Sequence, residues 1–140
     1  MKILVINGHP DKESYCQAIF QTIVETIDSN RHELQVINLN EEDFDPVLRY
    51  GYRKRMEEDP FILRSQEWIQ WADHLIFVYP IWWSSMPSLM KGWIDRVFTP
   101  GIAYSANDQG SFIWNYLRGK QFKKLLKGKT ASIYATSMAP

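Results

Sequence analysis

The chain has 140 residues, 45% of them hydrophobic and 14% aromatic. That is one domain over residues 1–140, long enough to bury roughly 68–70% of its unfolded surface. Sixteen basic and sixteen acidic residues cancel, which excludes the strong field that steers a chain to nucleic acid or a membrane surface. A single cysteine, Cys16, excludes a disulfide framework, and no apolar run approaches the ~20 residues of a membrane span. Lys2 is followed by only five residues before Gly8, so no secretory leader is expected, and a cytoplasmic, reducing setting is.

Ile3-Leu4-Val5-Ile6 is a continuous apolar run ending at Asn7-Gly8, the pattern of a strand buried on both faces of a parallel sheet. Ser14 opens a helix, with Gln17 three residues on in capping-box spacing. Phe20, Ile23, Val24 and Ile27 recur at i, i+3, i+4 and i+7, which makes one helical face apolar. Asp28-Ser29-Asn30 closes that helix. Residues 34–39 read as a second strand, more polar and so nearer a sheet edge. Residues 41–58 are acidic, contain Pro46 and Gly51 and show little periodicity, so loop with short helical pieces is expected. Asp59-Pro60 predicts a helix start, Asp at N-cap and Pro at N1, and the helix runs to about Trp71 with Ile62, Trp68 and Ile69 among its apolar positions.

A third strand spans 75–79. Pro87 restarts a helix whose stripe is Leu89, Met90, Trp93, Ile94 and Val97, and Pro100-Gly101 stops it. Residues 101–128 make a long excursion. It holds the Phe112 to Leu117 aromatic cluster and a basic helical piece whose Lys120, Lys123, Lys124, Lys127 and Lys129 form a solvated face. A fourth strand covers 130–136. The alternation β-α-β-α-β-α-β predicts an α/β domain with a doubly wound parallel sheet. Such a sheet usually continues through another helix and strand, whereas this sequence stops at Pro140.

The chemistry concentrates at two strand-to-helix junctions. Tyr79 to Pro87 places two adjacent tryptophans, Trp82 and Trp83, where an apolar strand hands over to a helix. In an open α/β sheet that is where ligands bind, outside the carboxyl ends of the strands. Two large rings there point to a planar partner such as a flavin; the alternative is that both are ordinary core residues. The stretch from Gly8 to Ser14 offers backbone N–H groups at a helix N-terminus, a ready anion site, to which His9 adds an imidazole and Ser14 a hydroxyl. Against this, Ser14 is also a plain N-cap and His9 an exposed loop residue. The loop has one glycine and no Gly-Lys-Ser/Thr, so Rossmann-type dinucleotide binding and an ATPase are disfavoured. His9, His32 and His74 have no ligand spacing, so no metal is expected.

The run Tyr79-Pro80-Ile81-Trp82-Trp83-Ser84-Ser85-Met86-Pro87, continued through Gly92-Trp93-Ile94-Asp95-Arg96-Val97-Phe98 to Gly101-Ile102-Ala103-Tyr104, closely resembles the signature of the flavodoxin-like NAD(P)H:quinone oxidoreductases. Asn7-Gly8-His9-Pro10 with Ser14-Tyr15 is similar to that family's phosphate loop, and the resemblance spans residues 2 to about 136. It implies a three-layer flavodoxin-like fold with sheet order 2-1-3-4-5. It also implies FMN or FAD at the strand ends and hydride passing from NAD(P)H through the flavin to a quinone or similar small-molecule acceptor. By the same resemblance His9, Ser14, Tyr15 and Cys16 match the phosphate end. Pro80, Ile81, Trp82 and Trp83 match the loop under the isoalloxazine ring. Tyr104 matches a catalytic tyrosine near the acceptor pocket, usually contributed across a homodimer interface.

This chain also departs from the pattern. Cys16 stands where members often have Asn. Thr136-Ser137-Met138 stands in place of Thr-Thr-Gly-Gly beside the ring, keeping the first threonine and losing the glycines. The family's later tyrosine and histidine, and its fifth strand, fall past residue 140, so flavin binding is expected to outlast turnover. Two other readings stay open: a flavin-binding regulatory subunit of the kind that accompanies potassium efflux systems, and a non-catalytic flavin binder. A homodimer is expected, because six Trp and seven Phe exceed what one small core readily hides. Its candidate surfaces are the helix around Trp93 and the Phe112-Ile113-Trp114 cluster.

Overall fold

The computed structural model describes residues 1–106 and 122–138. Strand β1 (Lys2–Asn7) is followed by helix α1 (Tyr15–Thr26), β2 (Glu33–Asn38), a short 3-10 turn (Leu39–Glu41), α2 (Pro60–Trp71), β3 (His74–Pro80) and α3 (Ser88–Val97). Then come β4 (Tyr104–Ala106), β5 (Phe122–Lys124) and β6 (Thr130–Thr136). β1, β2, β3 and β6 form one parallel sheet in the order β2-β1-β3-β6, the expected 2-1-3-4 of a doubly wound sheet.

β1 is central, and alternate side chains point to opposite faces, as strand geometry requires. Ile3 and Val5 pack with Cys16 and Phe20 of α1 and with Ile76 and Val78 of β3. Leu4 and Ile6 join Phe61, Ile62 and Ile69 of α2 and Met90, Trp93 and Val97 of α3 on the other face. The more polar β2 is an edge strand, as its sequence indicates; β6 is the other edge, with Ile133 and Tyr134 exposed. Across β3 and β6, His74 sets its Nδ1 2.6 Å from Thr130 Oγ1 and its Nε2 3.1 Å from Ser132 Oγ, a side-chain tie between the two strands.

Local signals hold at α2, where the Asp59 carboxylate accepts from the N–H groups of Phe61 and Ile62 and Pro60 occupies the first turn. At α1 the capping box is only half made. Ser14 Oγ accepts from Gln17 N at 3.2 Å, but the Gln17 side chain turns inward, where Asn7 and Asn40 donate to its Oε1. Buried amide partners outcompete the exposed return bond to Ser14.

The expected basic helical piece is instead strand β5, paired antiparallel with β4, followed by a turn over 125–128. Backbone pairing with Tyr104–Ala106 fixes Lys123 and Lys124 in extended geometry. Lys129 leaves the solvated face altogether: its Nζ donates to the carbonyls of Gln70, at 2.7 Å, and Ala72, where a cation suits the C-terminal end of α2. Lys120 and the Phe112 to Leu117 cluster lie outside the described residues. Of the acidic 41–58 segment, only Glu41 takes part in a helical turn.

Trp93 lies in the core of its own chain. It is fully buried, and its indole Nε1–H donates to Ser65 Oγ, also fully buried, at 3.1 Å. Of the α3 stripe, Met90, Trp93 and Val97 are core, and Leu89 and Ile94 are half-buried against it.

Gly92 lets the loop cross α3. A Cβ there would lie 2.3 Å from the Pro46 carbonyl oxygen and 2.5 Å from Pro46 Cβ. Mid-helix Gly→Ala ordinarily stabilises by about 0.5–1 kcal/mol. Here Gly92→Ala is expected to destabilise, by about 1–3 kcal/mol for overpacking against backbone. Urea unfolding followed by far-UV dichroism checks it, and a raised midpoint would show that the 46 loop yields freely.

Candidate functional site

Strand order reverses between β1 and β3, since the chain leaves β1 for β2 on one side and places β3 on the other. At such a switch point the loops diverge and leave a crevice at the carboxyl ends of the strands. Gly8 extends β1 by one backbone bond, its N–H donating to Val78 O at 2.8 Å. A side chain there would collide with Met90, whose Sδ lies 2.4 Å from the position a Cβ would take.

His9 turns out of the strand. Its Nδ1 accepts from Asp11 N at 3.0 Å, so in the neutral ring the proton sits on Nε2 and is available to donate. Its ring meets Trp82 edge to face, centroids 5.3 Å apart at an interplanar angle of 76°.

Trp82 belongs to a tight turn in which Trp82 and Ser85 exchange both backbone hydrogen bonds, at 2.9 and 3.0 Å. The two central residues, Trp83 at φ 50 and Ser84 at φ 60, are both left-handed. That geometry is normally given to Asn and Gly, and a non-Gly residue there costs of order 1–3 kcal/mol. The turn holds Trp83 99% exposed and Trp82 46% exposed, so neither ring is an ordinary core residue. Opposite, at the end of β6, Met138 is also 99% exposed. Ile81 N–H donates to Thr136 O at 2.7 Å, and this fixes the spacing between the β3 and β6 loops.

At the start of α1 the N-cap takes one orphan donor, Gln17 N, and leaves the N–H groups of Tyr15 and Cys16 without an intrahelical acceptor. The Ser14 oxygen serves as the cap acceptor while its hydroxyl proton stays free to donate. Cys16 is 1% exposed, and its Sγ lies 3.2 Å from Thr136 Oγ1, linking α1 to the end of β6.

These loops enclose a cavity of about 840 Å³ lined by His9, Tyr15, Cys16, Pro80, Ile81, Trp82, Trp83, Thr136, Ser137 and Met138. Ten of the residues named from sequence thus come together. Ser14 stands behind the lining as the cap. Tyr104 lies elsewhere, on the β4–β5 ribbon beyond α3. It neighbours Tyr52, whose phenol is pushed above the usual tyrosine range, first by burial and next by Tyr104.

A family model described as flavodoxin-like fold matches residues 1–140. The chain belongs to this flavodoxin-like family. It is 30% identical to NAD(P)H dehydrogenase (quinone) 1 of Cavia porcellus over 79% of this chain and 49% of that protein. It is 28% identical to the ribosyldihydronicotinamide dehydrogenase (quinone) of Mus musculus over 95% of this chain and 66% of that protein. The crystal structure of Smu.1420 from Streptococcus mutans superposes with a TM-score of 0.79 at 34% identity, covering 100% of this chain and 70% of the other. The chain spans about half to two thirds of the length of the curated relatives it matches.

Elsewhere in this flavodoxin-like domain a second cavity, about 470 Å³, lies under the 48–59 loop against α2, Arg96 and the turn after α3. Sequence reading missed Arg96, which is 6% exposed and donates from Nη1 to Asp45 O, clasping that loop to α3. The Asp45 carboxyl is held below its ordinary range, chiefly by the N–H of Val47 and next by Arg49. Among the described residues no three His, Cys, Asp or Glu side chains converge as a metal site, and no helix is long and apolar enough to cross a membrane.

Strain in the tryptophan turn is testable. Ser84→Gly is expected to stabilise the domain by about 0.5–1 kcal/mol, the left-handed strain relieved less the added freedom of the unfolded glycine. Thermal unfolding checks it; a lowered midpoint would show that the Ser84 side chain, not the backbone, holds the turn.

Proposed function

We propose that this domain binds a flavin, FMN or FAD, in the cavity between His9, Trp82 and Met138, as part of an NAD(P)H:quinone oxidoreductase. One observation carries the reading: an aromatic wall held by a strained turn faces a cavity whose far end is the open N-terminus of α1. The volume suits a cofactor. The donor set fits as well, because the phosphate end of a flavin nucleotide is an anion and the N–H groups of Tyr15 and Cys16 with the Ser14 hydroxyl are donors at a positive helix end. Asp11 does not spoil that end. It is exposed and turns its Oδ1 to Glu13 N at 3.0 Å.

A bound flavin supplies the two-electron chemistry between NAD(P)H and a quinone. The residues of this chain bind and orient. Trp82 and His9 give the ring pocket a fixed wall, and Trp83 and Met138 give it an apolar rim that favours a planar partner over water. Trp83 and Ser84 add backbone N–H groups with no acceptor among the described residues, available to carbonyl oxygens of the ring. The quinone-reductase names of the relatives support the electron acceptor class. A homodimer belongs to the same proposal: Tyr104 lies outside the cavity of its own chain, which fits a residue that serves the site of a second copy.

Titration with FMN and with FAD tests the binding. Saturable quenching of tryptophan fluorescence is expected, because Trp82 and Trp83 would lie beside the ring; absence of quenching and of bound visible absorbance with both flavins would sink the reading. A variant separates the two ends of the site. Ser14→Ala is expected to cost α1 about 1 kcal/mol as a lost cap. It should weaken FMN while leaving riboflavin, which lacks the phosphate, nearly unchanged. Equal weakening of riboflavin would place the effect on the whole fold.

A further inference from the structure

Four amide side chains lie together beneath the His9 loop. Asn7, fully buried at the end of β1, donates from Nδ2 to Gln17 Oε1 at 2.7 Å and to Asn38 Oδ1 at 2.9 Å. Its Oδ1 accepts from His9 N at 3.1 Å. Asn40 donates from Nδ2 to His9 O at 3.1 Å and to Gln17 Oε1 at 3.3 Å. The amide orientation of Asn40 is forced, because both neighbours of that nitrogen are acceptors. The result is a buried Asn40 Oδ1 with no partner.

Pairing the His9 backbone needs only Asn7 and Asn40, yet Gln17 and Asn38 are added and Asn40 Oδ1 is left unpaired, so stability alone does not account for the cluster. Its bonds converge on one residue: the cluster holds both the N–H and the C=O of His9, and it draws on β1, α1, β2 and the 3-10 turn to do so.

We propose that Asn7, Gln17, Asn38 and Asn40 are positioning residues that clamp the His9 backbone so that the imidazole stands edge-on against Trp82, preforming one wall of the site. The clamp is a property of the free protein; its consequence for flavin affinity rests on the flavin reading above. A wall fixed before binding spares the ligand the ordering of that loop.

The test compares wild type, Asn40→Ala, Trp82→Leu and His9→Ala, with histidine ring resonances read by NMR in the absence of flavin. In wild type the His9 ring protons are expected to be displaced by the Trp82 ring current, a displacement that Trp82→Leu removes. Asn40→Ala should move them most of the way to the Trp82→Leu position. The His74 resonances, held between Thr130 and Ser132, should stay in place and report a folded sheet. FMN should bind Asn40→Ala about tenfold more weakly, one hydrogen bond's worth of lost preorganisation. In a His9→Ala background, Asn40→Ala should add little further loss, because the clamp acts through His9.

Unchanged His9 resonances in a folded Asn40→Ala protein would overturn the proposal, as would an equal FMN loss with and without the His9 ring. Should Asn40→Ala not fold, Asn40→Asp carries the same expectations, since it keeps the shape and replaces the donor with an acceptor. Wild-type protein that binds neither flavin would refute the flavin reading, and the flavin-free resonances would then decide the clamp.

Discussion

Strand β1 carries Ile3 and Val5 on one face and Leu4 and Ile6 on the other, and all four are buried. At roughly 1.5–3 kcal/mol for each large apolar side chain removed from water, no arrangement that leaves either face wet competes. The strand must therefore lie inside a sheet covered on both sides. α1 supplies one cover, with Cys16 and Phe20; α2 and α3 supply the other, with Ile69, Met90 and Trp93. The crossovers then put β2 on one side of β1 and β3 on the other. The crevice between those two departures is a consequence of covering β1, and the candidate site occupies it.

The residues at the mouth of that crevice follow different rules from the core. Trp83 and Met138 are as exposed as large apolar side chains can be, and Trp83 and Ser84 hold a left-handed backbone that neither prefers. Within the fold these features are only costs. They become useful if a flat apolar molecule lies across them, covering the rim and meeting the free N–H groups of the turn. Strain kept in a turn while the strand beneath it is fully bonded is characteristic of a binding loop carried on a rigid scaffold.

A polar counterpart lies below. Gln17 reads locally as the fourth member of a capping box, yet its amide joins Asn7 and Asn40 in the interior. An exposed bond to Ser14 would only replace one with water, whereas Asn7 and Asn40 without Gln17 would each lose one of two acceptors in a low-dielectric setting. The same logic sends Lys129 to the end of α2 and the indole N–H of Trp93 to Ser65.

Periodicity and punctuation in the sequence determined the four parallel strands, the three helices, the Asp59-Pro60 start and the two loops that meet at the site. Those signals are local: an apolar run, a repeat every three or four residues, a cap and a proline act within a few residues of themselves. Tertiary structure decided the rest. Whether Trp93 faces a partner or the core depends on α2 packing against it, and whether Lys123 and Lys124 lie on a helix or a strand depends on pairing with Tyr104–Ala106. The amide cluster under His9 joins residues up to 31 apart along the chain. Arg96 clasps Asp45 across 51. No local pattern encodes such contacts, because each exists only after the sheet has brought the two segments side by side.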